Sequence, residues 1–189
     1  SHIDLLIPRG GAELIHFVSQ EATMPTITGG IGVCHIYVDA SASLEMAVDI
    51  ILNAKVQAPA KCNALDTLLV HNTVAAELLS NLEMRLAEAG VEIRCDKRAF
   101  SLLGPNTHAH LVEASTSDWG QEFLDLILAV KVVDSIEEAL DHIEVYGSGH
   151  TEAIVSEDQT VASRFLDAVD AAAVFVNVST RFTDGGQFG

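Results

Sequence analysis

Short apolar runs of strand type recur along this chain, and each is followed by a stretch with helical periodicity. That alternation restricts the fold more than any other feature. Residues 3–7 form the first run, Arg9-Gly10-Gly11 turns the chain, and residues 12–19 have helical character. Residues 26–27 and 33–38 read as strands on either side of the loop Gly29-Gly30-Ile31-Gly32. Ser43 is placed to cap a helix whose apolar residues Leu44, Ala47, Val48 and Ile51 share one face. That helix should stop near Gln57, because the residue before Pro59 is pushed out of helical geometry. A strand at 67–71 precedes a helix marked by Val74, Leu78, Leu82 and Leu86 and ended by Gly90. Val91, Ile93 and Cys95 alternate along the next strand, whereas residues 101–120 offer short extended pieces at best. Residues 127–133 are an apolar strand. Ser135 and Glu138 then fit a capping box that opens a helix running to about Glu144. A strand at 152–155, a helix marked by Val161, Phe165 and Val169, and a strand at 174–177 complete the pattern. Strands alternating with helices from end to end predict an α/β protein with mainly parallel sheets. No internal repeat or low-complexity segment interrupts them.

The composition narrows the partners. Apolar residues make up 49% of the 189, enough for a sizeable core. Ten Lys and Arg against 27 Asp and Glu leave a net charge of −17, which repels phosphate backbones and anionic membrane surfaces. Nucleic acid and membrane are therefore not expected partners. No apolar run approaches the roughly 18 residues a membrane span needs, and aromatic residues, at 5%, give few stacking platforms for bases. Three widely spaced cysteines, an odd number, indicate reduced thiols rather than a disulfide framework. The first residues lack the basic and apolar pattern of a signal peptide. The chain opens almost directly on an apolar run and closes on Gly185-Gly186-Gln187-Phe188-Gly189, so it is expected to be a piece of a larger protein.

Three segments carry residues suited to chemistry. In Pro59-Ala60-Lys61-Cys62-Asn63-Ala64 a cysteine lies between a helix and a strand. A thiol in such a turn, at the N-terminus of a short helix and opening on the carboxyl edge of the sheet, suits a nucleophile that attacks an acyl carbon. Cys34 and Cys95 fall within strands and should be buried and inert. In Tyr146-Gly147-Ser148-Gly149-His150-Thr151 a serine sits between glycines ahead of a histidine, which fits an anion-binding loop, an acid/base site or a plain helix-to-strand connection. In Asn177-Val178-Ser179-Thr180-Arg181-Phe182 an amide, two hydroxyls and a guanidinium follow a strand. Ligands of open α/β sheets gather at carboxyl ends of strands, and arginine offers a planar fork to a carboxylate or phosphate. Lys61, Ser179, Thr180 and Arg181 are accordingly the candidate anion-binding residues. No metal is expected. Cys34 and His35 point to opposite faces of a strand, and His108 and His110 lack a third ligand. The glycine loop at 29–32 does not fit a dinucleotide fingerprint, and no G-x-S-x-G elbow is present.

Taken in order, these segments resemble the γ-glutamyl phosphate reductase (glutamate-5-semialdehyde dehydrogenase) branch of the aldehyde dehydrogenase superfamily. The resemblance covers nearly the whole chain. It rests on Ile7-Pro8-Arg9-Gly10-Gly11, Gly32-Val33-Cys34-His35 with Tyr37-Val38-Asp39, Asn53-Ala54-Lys55, Cys62-Asn63-Ala64, the run from Tyr146 to Ile154, and Asn177-Val178-Ser179-Thr180-Arg181-Phe182-Thr183-Asp184-Gly185. It implies a three-layer α/β/α catalytic domain with the tail of a Rossmann-like cofactor domain. Residues 1–45 would be that tail and 46–189 the cysteine-bearing domain, cut short at its C-terminus. It also implies NADPH-dependent reduction of L-glutamyl 5-phosphate to glutamate 5-semialdehyde and phosphate, in the cytoplasm and in proline biosynthesis. The protein would be a homo-oligomer in functional contact with glutamate 5-kinase.

By the same resemblance Cys62 is the nucleophile that forms a thioester, with Asn63 beside it in the catalytic motif. Glu122 corresponds to the glutamate that holds the nicotinamide ribose. Arg9, Gly10 and Gly11 correspond to the turn near the cofactor pyrophosphate. Hydrolytic members of the superfamily place a water-activating glutamate in the stretch that corresponds here to 29–35, and this chain has none there. A general aldehyde dehydrogenase that oxidises its substrate to the acid is disfavoured for that reason. Two alternatives stay open: the reductase half of a bifunctional pyrroline-5-carboxylate synthase, and a truncated module that folds and assembles without catalysing.

Overall fold

The computed structural model describes residues 3–104 and 107–183. The chain divides into two compact units, Ser1–Ile31 and Gly32–Gly189. The division falls ahead of the expected boundary at 45/46, because the strand at 34–38 is an integral member of the larger unit's sheet.

In the first unit, helix α1 (Ala12–Glu21) connects two extended segments joined by a parallel bridge between Leu6 and Thr26. Leu6 N–H donates to Pro25 O at 3.0 Å and Ile27 N–H to Leu6 O at 2.9 Å. The expected buried strand at 3–7 is reduced to this bridge, and Ile3, Leu5, Ile7, Leu14 and Phe17 are exposed. A parallel strand becomes buried only when neighbouring strands and helices cover both its faces, and one bridge does not supply them.

The second unit is built on seven parallel strands: β1 (Cys34–Val38), β2 (Leu65–His71), β3 (Glu92–Cys95), β4 (His110–Glu113), β5 (Ile127–Val133), β6 (Thr151–Val155) and β7 (Ala173–Val176). Their order in the sheet is β4-β3-β5-β2-β1-β6-β7. Every residue of β1 and β6 is buried, so these strands show no alternation of apolar and polar faces, and their buried His35 and Glu152 pair with each other. Helices α2 (Leu44–Val56), α3 (Asn72–Glu88) and α4 (Lys97–Leu103) cover one face around Ile36, Leu68 and Val130. Helices α5 (Ile136–Tyr146) and α6 (Gln159–Ala168) cover the other around Tyr37, Leu69 and Phe165. The result is three layers, α/β/α.

Local chemistry explains most of the boundaries. Helix α3 ends in a Schellman motif. Val91 N–H donates to Leu86 O and Gly90 N–H to Ala87 O, with Gly90 at φ +74°. Ser135 Oγ accepts from Glu138 N–H at 3.2 Å, while the Glu138 carboxylate accepts from Asp134 N–H at 2.9 Å, one residue earlier than in a standard capping box. Ser43 occupies the N-cap position of α2, but its hydroxyl makes no capping bond.

Candidate active site around Cys62

Cys62 lies in the turn between α2 and β2, a turn closed by Lys61 N–H donating to Ala58 O and Ala64 N–H to Lys61 O. It is exposed, whereas Cys34 and Cys95 are fully buried. Burial, with Asp96 beside it, pushes the Cys95 thiol up to about 12. Burial raises Cys34 further still, reinforced by the charges of Glu152 and Asp66. A thiol that cannot ionise does not act as a nucleophile, so Cys62 is the accessible thiol of the three.

Two expectations about this turn are corrected. No helix follows Cys62, because β2 begins at Leu65. The turn therefore offers no helix N-terminus to the thiol. Cys62 also precedes β2 in a parallel sheet, which places it at the amino edge, not the carboxyl edge.

Gly32, just ahead of β1, lies directly against this turn. A Cβ built on it would stand 1.9 Å from Cys62 O and 2.8 Å from Cys62 Cβ, so only glycine fits. Cys34 Sγ donates to Cys62 O at 3.3 Å. Asn63 is buried and its Oδ1 has no hydrogen-bond partner among the described residues, while Lys61 is exposed. Glu122 reaches the same place from the loop before β5 and accepts Gly32 N–H at 3.0 Å.

The segment after β7 also returns to the amino edge. Asn177 is held at φ +56°, its N–H on Ile154 O and its side-chain Oδ1 accepting Ser156 N–H. The chain then doubles back into a 3-10 turn, Thr180–Thr183. Thr183 Oγ1 lies 3.1 Å from the Oγ1 of Thr151, the first residue of β6. Arg181 thus sits near the amino edge of β6, although it follows the carboxyl end of β7. Ser179 Oγ accepts Arg181 N–H at 3.3 Å, and Thr180 is fully buried.

The amino edge therefore gathers the turn of Lys61, Cys62 and Asn63, the Glu122 carboxylate and the turn bearing Thr180 and Arg181. Arg9, Gly10 and Gly11 belong to the other compact unit. There Gly11 is the N-cap of α1 and provides no capping side chain, and a Cβ on it would meet nothing within 4 Å.

Sequence reasoning passed over Asp66 and Lys55. Lys55 is fully buried within α2, donates to Leu65 O at 3.0 Å and stands 4.0 Å from Asp66 Oδ1. Asp66 Oδ1 accepts Phe123 N–H at 3.1 Å, next to Glu122. The signals were a lysine on the apolar face of a helix and an aspartate opening an otherwise apolar strand. Among the described residues, no group of three or more His, Cys, Asp or Glu side chains is arranged to hold a metal, and no helix is long and apolar enough to cross a membrane.

Comparison with known proteins shows what this chain is similar to. Over 187 residues the chain is 58% identical to the gamma-glutamyl phosphate reductase of Dehalococcoides mccartyi, a match covering 99% of this chain and 44% of that protein. The crystal structure of gamma-glutamyl phosphate reductase from Thermotoga maritima aligns with a TM-score of 0.91 at 48% identity, over 100% of this chain and 44% of the other. An acetylating aldehyde dehydrogenase from Geobacillus thermoglucosidasius shares the fold at 22% identity, with a TM-score of 0.70 over 95% of this chain and 47% of the other. No family model matches the chain. The fold is that of the aldehyde dehydrogenase-like proteins. Along the stretch it spans, somewhat less than half the length of those relatives, the chain is a homologue of gamma-glutamyl phosphate reductase.

Proposed function

We propose that the protein to which this chain belongs reduces L-glutamyl 5-phosphate to L-glutamate 5-semialdehyde and phosphate, as a step of proline biosynthesis. The observation that carries this reading is an exposed Cys62 set against Gly32, at an edge that also holds Glu122 and Arg181, in a homologue of gamma-glutamyl phosphate reductase.

In this reading the Cys62 thiolate attacks the acyl carbon, the C–O bond to phosphate breaks, and a thioester remains on Sγ. NADPH supplies the hydride that reduces that thioester. The C–S bond then breaks, releasing the aldehyde and restoring the thiolate. Arg181 holds an anionic end of the substrate, with Lys61 as a second cation. Glu122 is the side chain for the nicotinamide ribose. The uncapped start of α1 at Gly10-Gly11 suits pyrophosphate, since its backbone N–H groups have no side-chain acceptor. The first unit then belongs to the cofactor domain.

Two measurements test the assignment of Cys62. In the full-length protein, Cys62→Ser should abolish reduction while circular dichroism stays that of the parent. A limiting alkylating agent should label Cys62 before Cys34 or Cys95, and labelling of either buried thiol first would remove Cys62 from its role.

A further inference from the structure

The residues leading into β1 are held by side chains. Gly32 N–H donates to Glu122 Oε1 at 3.0 Å, Val33 N–H to Ser148 Oγ at 2.9 Å, Cys34 N–H to Asp66 Oδ2 at 3.4 Å and His35 N–H to Glu152 Oε2 at 2.7 Å. Four consecutive backbone donors thus end on four side chains, from the loop before β5, the loop before β6, β2 and β6. Ser148 Oγ closes a second bond to Val33 O at 3.2 Å. Glu152, itself buried, is fixed by His35 Nδ1 at 3.0 Å. The pairing of β1 with β2 slips between Cys34 and His35, where Asp66 has no residue opposite it, and its carboxylate takes the place of a backbone acceptor.

The held segment is the one packed against Cys62 through Gly32 and Cys34. Each of the three carboxylates that converge on it is occupied in accepting backbone N–H groups. Those acceptor oxygens are directed at the backbone rather than toward the turn of Cys62, and a segment fixed at four successive residues has little freedom to move aside and admit a water.

We propose that this four-point clamp protects a thioester on Cys62 from hydrolysis, with Ser148, Asp66 and Glu152 as positioning residues. The inference rests on the reductase reading. In the oxidative direction the thiolate adds to glutamate 5-semialdehyde, hydride passes to NADP+, and a thioester forms. Phosphate then attacks the acyl carbon, the C–S bond breaks and an acyl phosphate leaves. If water attacks instead, the C–S bond breaks equally, glutamate leaves, and a proton of the water returns to sulfur.

The test is NADP+ reduction by the full-length protein with glutamate 5-semialdehyde, with and without inorganic phosphate. The parent should need phosphate to proceed beyond one turnover. Ser148→Ala should raise the ratio of phosphate-independent to phosphate-dependent turnover by about fivefold or more, the fold-change of one lost hydrogen bond. Ser148→Thr, which keeps the hydroxyl, should keep the parent's ratio. Ser148 is exposed, so its alanine variant removes the bond to Val33 N–H without opening the core. A ratio unchanged in Ser148→Ala, whether its rates persist or fall together, overturns the clamp. A parent that reduces no NADP+ with phosphate present overturns the reductase reading instead.

Discussion

Asp66 and Lys55 bring opposite charges into the base of β2, and their environment sets a pH dependence. Burial raises Asp66 from its ordinary 3.8 to about 6, against the opposing pull of Lys55 and of two backbone N–H bonds. Burial likewise lowers Lys55 from 10.5 to about 8, opposed mainly by Asp66. For Asp66 the folded chain retains a proton that the unfolded chain has released. The associated stability is present below the unfolded pKa and is lost as pH rises through the folded one. Between about pH 4 and pH 6 the parent should therefore lose stability relative to Asp66→Asn, read as a fall in the parent's urea midpoint relative to the variant's. Midpoints that keep a constant gap would contradict this. At Gly32 the constraint is steric. Gly32→Ala in the full-length protein should displace Cys62 and lower kcat/KM by about a hundredfold, the scale of an ångström of misplacement. A variant with the parent's kcat/KM would show that the turn yields freely. The exposure of Cys62 was legible because its segment falls in a turn between two elements, whereas Cys34 and Cys95 fall within strands. Asp66 was not, because its partners Lys55, Cys34 and Phe123 come from three other segments.

Among the elements, those with long apolar periodicity were legible and the short ones were not. Helix α3 and strand β5 follow the sequence pattern closely. Helix α4 went unread, since its seven residues begin with two basic side chains that oppose the helix dipole. Its signal was Asp96, whose Oδ1 accepts Ala99 N–H at 2.8 Å as an N-cap. The 3-10 turn at Thr180–Thr183 is the element with most consequence for the proposed chemistry, because it carries Arg181 back to the edge where Cys62 lies. Full-length Arg181→Ala should lose about 10- to 150-fold in kcat/KM, the range of one charge-assisted hydrogen bond of roughly 1.5–3 kcal/mol. Arg181→Lys should recover only part of that loss, since it keeps the charge without the planar fork. Parent-like kcat/KM in Arg181→Ala would make Arg181 structural.

Across the whole molecule, the two compact units differ in how much apolar surface they bury, and this bears on the cofactor. The larger unit encloses its strands on both faces, whereas the first leaves Ile3, Leu5, Leu14 and Phe17 exposed. Residues 1–189 alone should fold cooperatively through the seven-stranded unit yet bind NADPH poorly in calorimetry. Micromolar affinity would show that these residues already hold the cofactor. The net charge of −17 acts in the same direction, opposing any polyanion that local cations and helix N-termini do not offset. The α/β class, the parallel sheet, most element positions and the exposure of Cys62 in a turn were determined by the sequence alone. Burial on both faces writes itself into continuous apolar runs, and an exposed thiol needs a polar turn. The sheet order, the edge at which Cys62 and Arg181 meet, and the four side chains on residues 32–35 were decided only by the tertiary structure. Each depends on contacts between residues far apart in the chain, with Glu122, Ser148, Asp66 and Glu152 lying 90, 115, 32 and 117 positions from the N–H groups they accept, and no local pattern encodes such a separation.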